Sequence, residues 1–268
     1  MRGRYFRILL CVVALVVLVP AVVAVVGCSS GSGSVAMMKK LPEDSDGFTF
    51  VDIAAMRDDD DLSDAYDQFK DEIKSRYDSL GISASDVDRM IMGGSVVILE
   101  GRFDLEDVSD ELEDNDYDDD RYKDVDTFEG VMSVALVSED CIVVGSSMND
   151  VKDCIAVIKG DSDSLRQDED ISAVVDRAPG GIMVSASTSE YYLDCKAEAY
   201  SVAKDDSDTV RVTAVFRFTS EGAADDARST IEADWKSRDY YSGVEVTVDG
   251  EYVEATADVD IDDILDLL

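Results

Sequence analysis

The sequence predicts an α+β protein built from two consecutive β-α-β-α-β-β-α modules, with helices packed on mainly antiparallel sheet. Alternating, β-rich segments such as 47–53 and 209–218 are interleaved with segments of helical periodicity. The same order of elements occurs twice along the chain. Hydrophobic residues make up 46% of the 268 residues, which is enough to bury a core over that length.

The first module is predicted to occupy residues 41–178. After the strand 47–53, apolar residues recur at helical spacing over 62–80, and Gly81 ends that helix. The remaining predicted elements, in chain order, are a short helix over 83–91, a strand over 95–103, a helix over 104–112 capped by Asp104, an acidic loop over 113–120, a strand over 122–129, a hairpin over 132–145, a helix over 149–158 capped by Asn149 and a short helix over 169–177.

The second module is predicted to occupy residues 179–268, with Pro179 at the boundary. Tyr192, Cys195, Ala199 and Val202 recur at helical spacing and predict a helix over 190–204. The other predicted elements are strands over 182–186, 209–218, 244–248 and 252–259 and helices over 221–236 and 261–268. Two separate ferredoxin-like modules and one continuous sheet fit this order equally well.

A basic and then apolar segment precedes the modules. Three arginines, at positions 2, 4 and 7, are followed by an uncharged apolar run over 8–26, which is the layout of a secretory signal. The tetrapeptide Val25-Val26-Gly27-Cys28 resembles the lipobox of prokaryotic lipoproteins. The resemblance implies cleavage between Gly27 and Cys28 and acylation of the Cys28 thiol, and it covers only the signal.

This segmentation predicts a signal over 1–27, a lipidated cysteine with a Ser/Gly tether over 28–40, and a domain held at the cell membrane, outside the cytoplasm. Two acyl chains are needed for stable anchoring, and a diacylglyceryl cysteine supplies two. The alternative is an uncleaved transmembrane helix over 8–26, which is long enough to span a bilayer core. Either reading gives the same orientation, because the arginines stay in the cytoplasm.

The charge balance is strongly acidic, with 61 acidic against 24 basic residues and a net charge of −37. Removing residues 1–27 takes away three arginines and no acid, so the mature charge becomes −40. Such a surface argues against binding to nucleic acid or to an anionic membrane, because both need basic patches on the protein. High-salt adaptation and cation binding are both compatible with this acidity.

The chain contains no histidine. That absence removes the usual Ser-His-Asp and Cys-His machinery and most zinc sites. A histidine-free hydrolase would have to use two carboxylates at a fixed separation, and 61 acidic residues make any pair of carboxylates uninformative. We therefore expect a non-catalytic binding or structural module with no cofactor.

The acidic loop is the best candidate for a metal site. Asp114, Asp116, Asp118 and Asp120 place oxygens at alternate positions, as calcium loops do. The loop is not an EF-hand, since Asp119 replaces the required glycine and Val125 the bidentate glutamate. A looser calcium site and a solvated loop are the two interpretations, and calcium binding is an alternative function for the protein.

Three cysteines remain after Cys11 in the signal and Cys28 at the anchor. Cys154 and Cys195 fall on the apolar faces of predicted helices, which favours buried, inert thiols. If a disulfide forms outside the cytoplasm, Cys154–Cys195 and Cys141–Cys154 are the favoured pairs, and spacing does not choose between them.

Overall fold

The computed structural model describes residues 32–188, 192–206 and 208–266, and it shows an α+β fold. The predicted signal, its cleavage site at Gly27 and the anchor Cys28 lie outside the described residues. No helix within the described ranges is long and apolar enough to cross a membrane. The chain divides into two compact units, which meet in sequence between Glu169 and Asp170.

The first unit contains five helices and seven strands among its described residues. In chain order these are α1 (Ser32–Met38), β1 (Gly47–Asp52), α2 (Ile53–Arg57), α3 (Ser63–Tyr77), β2 (Val87–Gly93), β3 (Val96–Gly101), α4 (Leu105–Asp114), β4 (Asp118–Tyr122), β5 (Val125–Glu129), β6 (Ser133–Ser138), β7 (Cys141–Gly145) and α5 (Met148–Ile158). The strands are ordered β1-β2-β3-β7-β6-β5-β4, and every recorded pairing within this series is antiparallel.

The second unit contains two helices and five strands among its described residues. These are α6 (Glu169–Arg177, which begins one residue before the division), β8 (Met183–Thr188), β9 (Cys195–Lys204), β10 (Thr209–Phe218), α7 (Glu221–Lys236), β11 (Ser242–Asp249) and β12 (Tyr252–Asp260). The strand order is β8-β9-β10-β12-β11, again with antiparallel pairings.

Local sequence explains where the helices begin. Ser220 caps α7 by accepting a hydrogen bond from Ala223 N–H, and Asp104 caps α4 as predicted. Helix α5 is capped by Ser147, two residues ahead of the predicted Asn149. Its apolar face, with Val151, Cys154 and Ile155 fully buried, lies on strands β6 and β7.

The two units share one topology. Each has a three-stranded meander, then a helix, then a hairpin whose second strand pairs with the third strand of the meander. The first unit adds two insertions to this plan, residues 53–86 between β1 and β2 and residues 115–129, which form the hairpin β4–β5. This shared plan differs from the predicted β-α-β-α-β-β-α repeat.

The predicted helix over 190–204 is wrong, because Cys195–Lys204 form strand β9. This strand is buried on both faces between β8 and β10, so its sequence lacks the alternation that marks a half-buried strand. Tyr192, Ala199 and Val202 then match a helical spacing by coincidence. The sequence also predicts a helix over 83–91, where only Ala84–Asp86 form a short 3₁₀ turn and Val87–Gly93 form β2, a strand whose buried residues do not alternate.

Two further segments differ from the prediction. The Ser/Gly tether over 28–40 includes helix α1, whose Met37 and Met38 are fully buried, so the folded unit begins at Ser32. The unit boundary lies ahead of the predicted 178/179, because α6 is tied to the second unit. Asp170 pairs with Arg217, and Arg177 pairs with Glu254.

The strand predicted over 122–129 is the turn and second strand of a hairpin. Lys123 and Asp124 both have positive φ, at 49° and 62°, as a two-residue type I′ turn requires. The acidic residues Asp118–Asp120 therefore belong to a strand rather than to a loop.

Candidate functional site

The residues of the predicted metal site are distributed over three kinds of structure. Asp114 is the last residue of α4, Asp116 lies in the turn that follows with φ of 60°, and Asp118 and Asp120 belong to β4. Asp120 faces Thr127 on the neighbouring strand and lies 3.9 Å from Lys152 Nζ. The described residues contain no group of three or more acidic or thiol side chains positioned to hold a metal ion.

This outcome follows from strand geometry. Asp118 and Asp120 lie two apart on one strand, with Cα atoms about 6.6 Å apart, and these two carboxylates do not supply the six to eight oxygens that calcium takes within about 2.6 Å. The alternating aspartates that suggested a calcium loop reflect, in β4, the two-residue repeat of a strand. Strand β4 is the last in the strand order of the first unit. Aspartates on such a strand oppose pairing with another chain, which gives them a structural role.

The structure has Cys141, Cys154 and Cys195 as buried thiols, so it contains neither the Cys154–Cys195 nor the Cys141–Cys154 disulfide. Burial raises the pKa of the Cys141 thiol to about 11 and that of Cys154 to about 12. A thiol of this pKa is protonated at neutral pH and is a poor nucleophile or metal ligand.

Lys40 lies beside two of these thiols. Its Nζ is 2.6 Å from Glu100 Oε1 and 3.9 Å from Cys141 Sγ, while Cys154 Sγ donates to the Lys40 carbonyl at 3.3 Å. Burial is the largest single influence and works against the charged ammonium, but the hydrogen bond to Glu100 and the charge interactions with Cys141, Glu100 and Asp140 together outweigh it, so the pKa of Lys40 is raised. The ammonium therefore stays charged, and the cluster fixes the end of α1 to β3 and β7.

An open cleft of about 1010 Å³ is lined by residues Gly101–Glu106 and Ser138–Asp140. Gly101 is one of the lining residues, and a Cβ atom added there would lie 1.9 Å from the Asp86 carbonyl oxygen. The cleft has one cation, Arg102, against four carboxylates, and the Arg102 side chain is 75% exposed. It therefore resembles a polar surface groove more than the mostly apolar, enclosed pocket typical of small-molecule sites.

The second unit holds a buried aromatic cluster. The Phe216 ring packs edge-on against Tyr192 and Tyr200, with centroids 5.3 and 5.9 Å apart, and lies 6.3 Å from Trp235. The Tyr200 hydroxyl donates to Glu198 Oε2 at 3.2 Å, and burial raises the pKa of Tyr200 well above its usual value. This arrangement is a satisfied core pair, because both side chains are less than 9% exposed.

Arginines tie α6 to the sheet of the second unit. Arg177 donates to Asp249 and Glu254, both at 2.9 Å, and its guanidinium stacks 3.8 Å from the Tyr252 ring. Arg217 pairs with Asp170 and Glu251 at 2.8 Å. Both guanidinium groups pair with carboxylates of the same unit, so the network is structural. No periodic sequence pattern marks these contacts, since the partners are distant along the chain.

No family model matches this chain. The uncharacterized protein MJ0635 of Methanocaldococcus jannaschii is 26% identical over 236 residues, covering 82% of each chain. Among solved structures, crystal form I of TP0453 superimposes with a TM-score of 0.55 at 9% identity, covering 86% of this chain and 95% of that one. The second likeness is one of fold alone.

Proposed function

We propose that this chain is a lipid-anchored, extracytoplasmic protein whose acidic two-unit domain binds or organises another component at the cell surface without catalysing a reaction. The observation that carries the proposal is the sequence Val25-Val26-Gly27-Cys28 at the end of the apolar run 8–26. The buried thiols and the open polar cleft are in keeping with a non-catalytic role.

The test is to replace the anchor and follow the membrane fraction. Cys28→Ser removes the acylated thiol, so the variant should no longer take up radiolabelled fatty acid and should lose its lipid attachment. Cys11→Ser is the matched control, because it changes the same atom within the signal and should leave labelling and fractionation unchanged. Labelling that persists in Cys28→Ser contradicts the proposal.

The retained transmembrane helix is the competing account, and the same experiment separates the two. A Cys28→Ser protein that stays in the membrane at its full precursor length, beside a wild-type protein that takes up no fatty acid, would establish the helix. A wild-type protein that is labelled and shortened by its signal supports the lipoprotein.

A further inference from the structure

We propose that strand β11 pairs with the β11 strand of a second copy of this chain, so that two copies are joined through one antiparallel sheet. Strand β11 is the last in the strand order of the second unit, and among the described residues it pairs only with β12. The free side of such a strand presents N–H and C=O groups that can bind another strand. The proposal does not depend on the lipid anchor.

The hairpin turn shows which backbone groups of β11 face its free side. Asp249, the last residue of β11, is paired with the first residue of β12 across a two-residue turn, so these two residues are hydrogen-bonded to each other. Bonded and non-bonded residues alternate along an antiparallel pair. Asp249, Thr247 and Glu245 therefore bond to β12, whereas the backbone groups of Val246 and Val248 point away from it.

One of these outward groups already has a side-chain partner. Arg228 of α7 donates from Nε to the Val246 carbonyl oxygen at 3.3 Å, which agrees with a carbonyl that points away from β12. A carbonyl oxygen has two lone pairs, so it can accept from a second strand as well. Arg228 therefore competes with strand pairing for this one acceptor only.

The charges on β11 select one register for the pairing. Because the outward groups belong to alternate residues, the twofold axis can pass through Val246 or, after a shift of the register, through Glu245 or Thr247. An axis at Glu245 places two glutamates directly opposite each other, and an axis at Thr247 places Glu245 opposite Asp249. Like charges directly opposite each other destabilise a strand pair. With the axis at Val246, Glu245 lies opposite Thr247 and Asp249 lies opposite the uncharged end Ser242–Gly243, so this register is favoured.

The same register extends the apolar face of the strand. Val244, Val246 and Val248 lie on one face of β11, the strand that α7 packs against. Val246 is 6% exposed, but Val244 and Val248 are only half-buried. The register places Val244 against Val248 of the partner subunit, so it covers the two valines that β12 and α7 leave partly open. Removing apolar surface from water favours the pair.

The charges around this edge set the conditions under which two copies pair. The four carboxylates on the paired part of β11 and β12 each interact with an arginine of the same unit: Asp249 and Glu254 with Arg177, and Glu245 and Asp258 with Arg211. Helix α7, however, has five acidic and two basic residues, and the whole chain has a net charge of −37. Two copies therefore repel each other, and pairing should strengthen as salt screens that repulsion.

Cysteine cross-linking of the full-length protein in its membranes tests the pairing and its register together. In Glu245→Cys/Thr247→Cys each new thiol lies directly opposite one of the partner subunit's, so copper phenanthroline should link two chains through disulfides. Each single variant is a matched control, because its thiol meets the equivalent thiol only diagonally, about 7–8 Å away between Cα atoms, which is too far for a disulfide. The wild-type protein, whose Cys141, Cys154 and Cys195 are buried, should give no linked dimer.

The mass of the detergent-solubilised wild-type protein provides the second measurement. Light scattering should show a doubling of the protein mass between about 0.02 and about 0.5 M sodium chloride, because salt screens the repulsion between the copies. A mass that remains that of one chain in high salt overturns the proposal, whether or not the variants fold.

The cross-linking outcomes decide the register. A linked dimer in the double variant alone supports the axis at Val246, and a double variant that gives none overturns the pairing. A dimer linked through Glu245→Cys alone or through Thr247→Cys alone overturns this register, since each single cysteine meets its equivalent directly only when the axis passes through its own position.

Discussion

The two units follow the same plan of strands, but they differ in what covers the sheet. In the second unit the helix that crosses from the meander to the hairpin, α7, packs on β10, β11 and β12. In the first unit the equivalent helix, α4, packs against the 3₁₀ turn Asp78–Leu80 of an insertion, and α5 covers β3, β6 and β7 instead. The first unit therefore has the same strand topology as the second, but its helices pack in different places, and two insertions are added.

The insertions also account for the difference in charge. Residues 32–169 contain 38 acidic and 13 basic residues, and residues 170–268 contain 23 and 8. Residues 53–86 hold ten acidic and four basic residues, and residues 115–129 hold seven and two. Without them the first unit has almost the same net charge as the second. Acidity is thus common to both units, and the insertions add surface that the shared plan does not need.

The largest expected effect concerns the crossing helices. Trp235 in α7 is 1% exposed, and Leu112 in α4 is fully buried. Trp235→Ala should lower the unfolding free energy by about 3–5 kcal/mol and Leu112→Ala by about 2–4 kcal/mol. The loss is larger for Trp235 because removing its side chain leaves the larger cavity, between α7 and the sheet that α7 covers. Urea denaturation followed by circular dichroism measures both. A larger loss of unfolding free energy for Leu112→Ala than for Trp235→Ala would contradict the expected difference between the two helices.

A matched glycine pair tests whether the shared plan is equally tight in both units. A Cβ atom would lie 1.9 Å from the Asp86 carbonyl oxygen at Gly101 and 2.1 Å from the Val202 carbonyl oxygen at Gly181. Gly101→Ala and Gly181→Ala should each lower stability by about 1–3 kcal/mol, since backbone must move.

The control for this pair is a glycine inside a helix. Gly222 lies in the first turn of α7, with only the Ser220 hydroxyl within 4.0 Å of an added Cβ atom. Gly222→Ala should be neutral or should stabilise by up to about 1 kcal/mol, because alanine favours the helix. Thermal unfolding would refute the glycine argument if Gly101→Ala behaved like Gly222→Ala.

The buried thiols predict an alkaline loss of stability in the first unit. The folded-state pKa values, about 11 for Cys141 and about 12 for Cys154, lie above the ordinary value of 9.0. Their contribution is present below pH 9 and is lost as the pH rises through the folded pKa, because only the unfolded state releases the protons.

Denaturant midpoints between pH 8 and pH 10.5 should therefore fall less steeply in the Cys141→Ala/Cys154→Ala double variant than in wild type. Cys195→Ser is the control from the second unit. Buried tyrosines titrate in the same range in all the variants, so the difference between the curves is the quantity to read. Parallel curves for the wild type and the double variant would argue against buried thiols.

The smallest effect is expected at strand β4. Asp118, Asp119 and Asp120 are exposed, so replacing all three with threonine should change the unfolding free energy by no more than about 0.5 kcal/mol. The same change removes the charges that oppose strand pairing, so we expect self-association in analytical ultracentrifugation. A monomeric variant would show that the aspartates do not protect this strand.

Sequence reasoning reached the fold class, the Asp104 cap and the helix over 221–236, because each depends on local pattern. It failed for β2 and β9, whose buried residues do not alternate along the strand, and for α1, where Ser and Gly suggested a flexible tether. The sequence pattern does not predict the cluster around Lys40, for a different reason. Its members Glu100 and Cys141 are brought together only by the pairing of β3 with β7.

The central claim is that Cys28 is the first residue of the mature protein and carries the lipid. Mass spectrometry of the amino-terminal peptide from membranes of the native source tests it directly. The account predicts a peptide that begins at Cys28 with a diacylglyceryl group on its sulfur. A peptide that continues upstream through residues 8–26, with Cys28 unmodified, would contradict it.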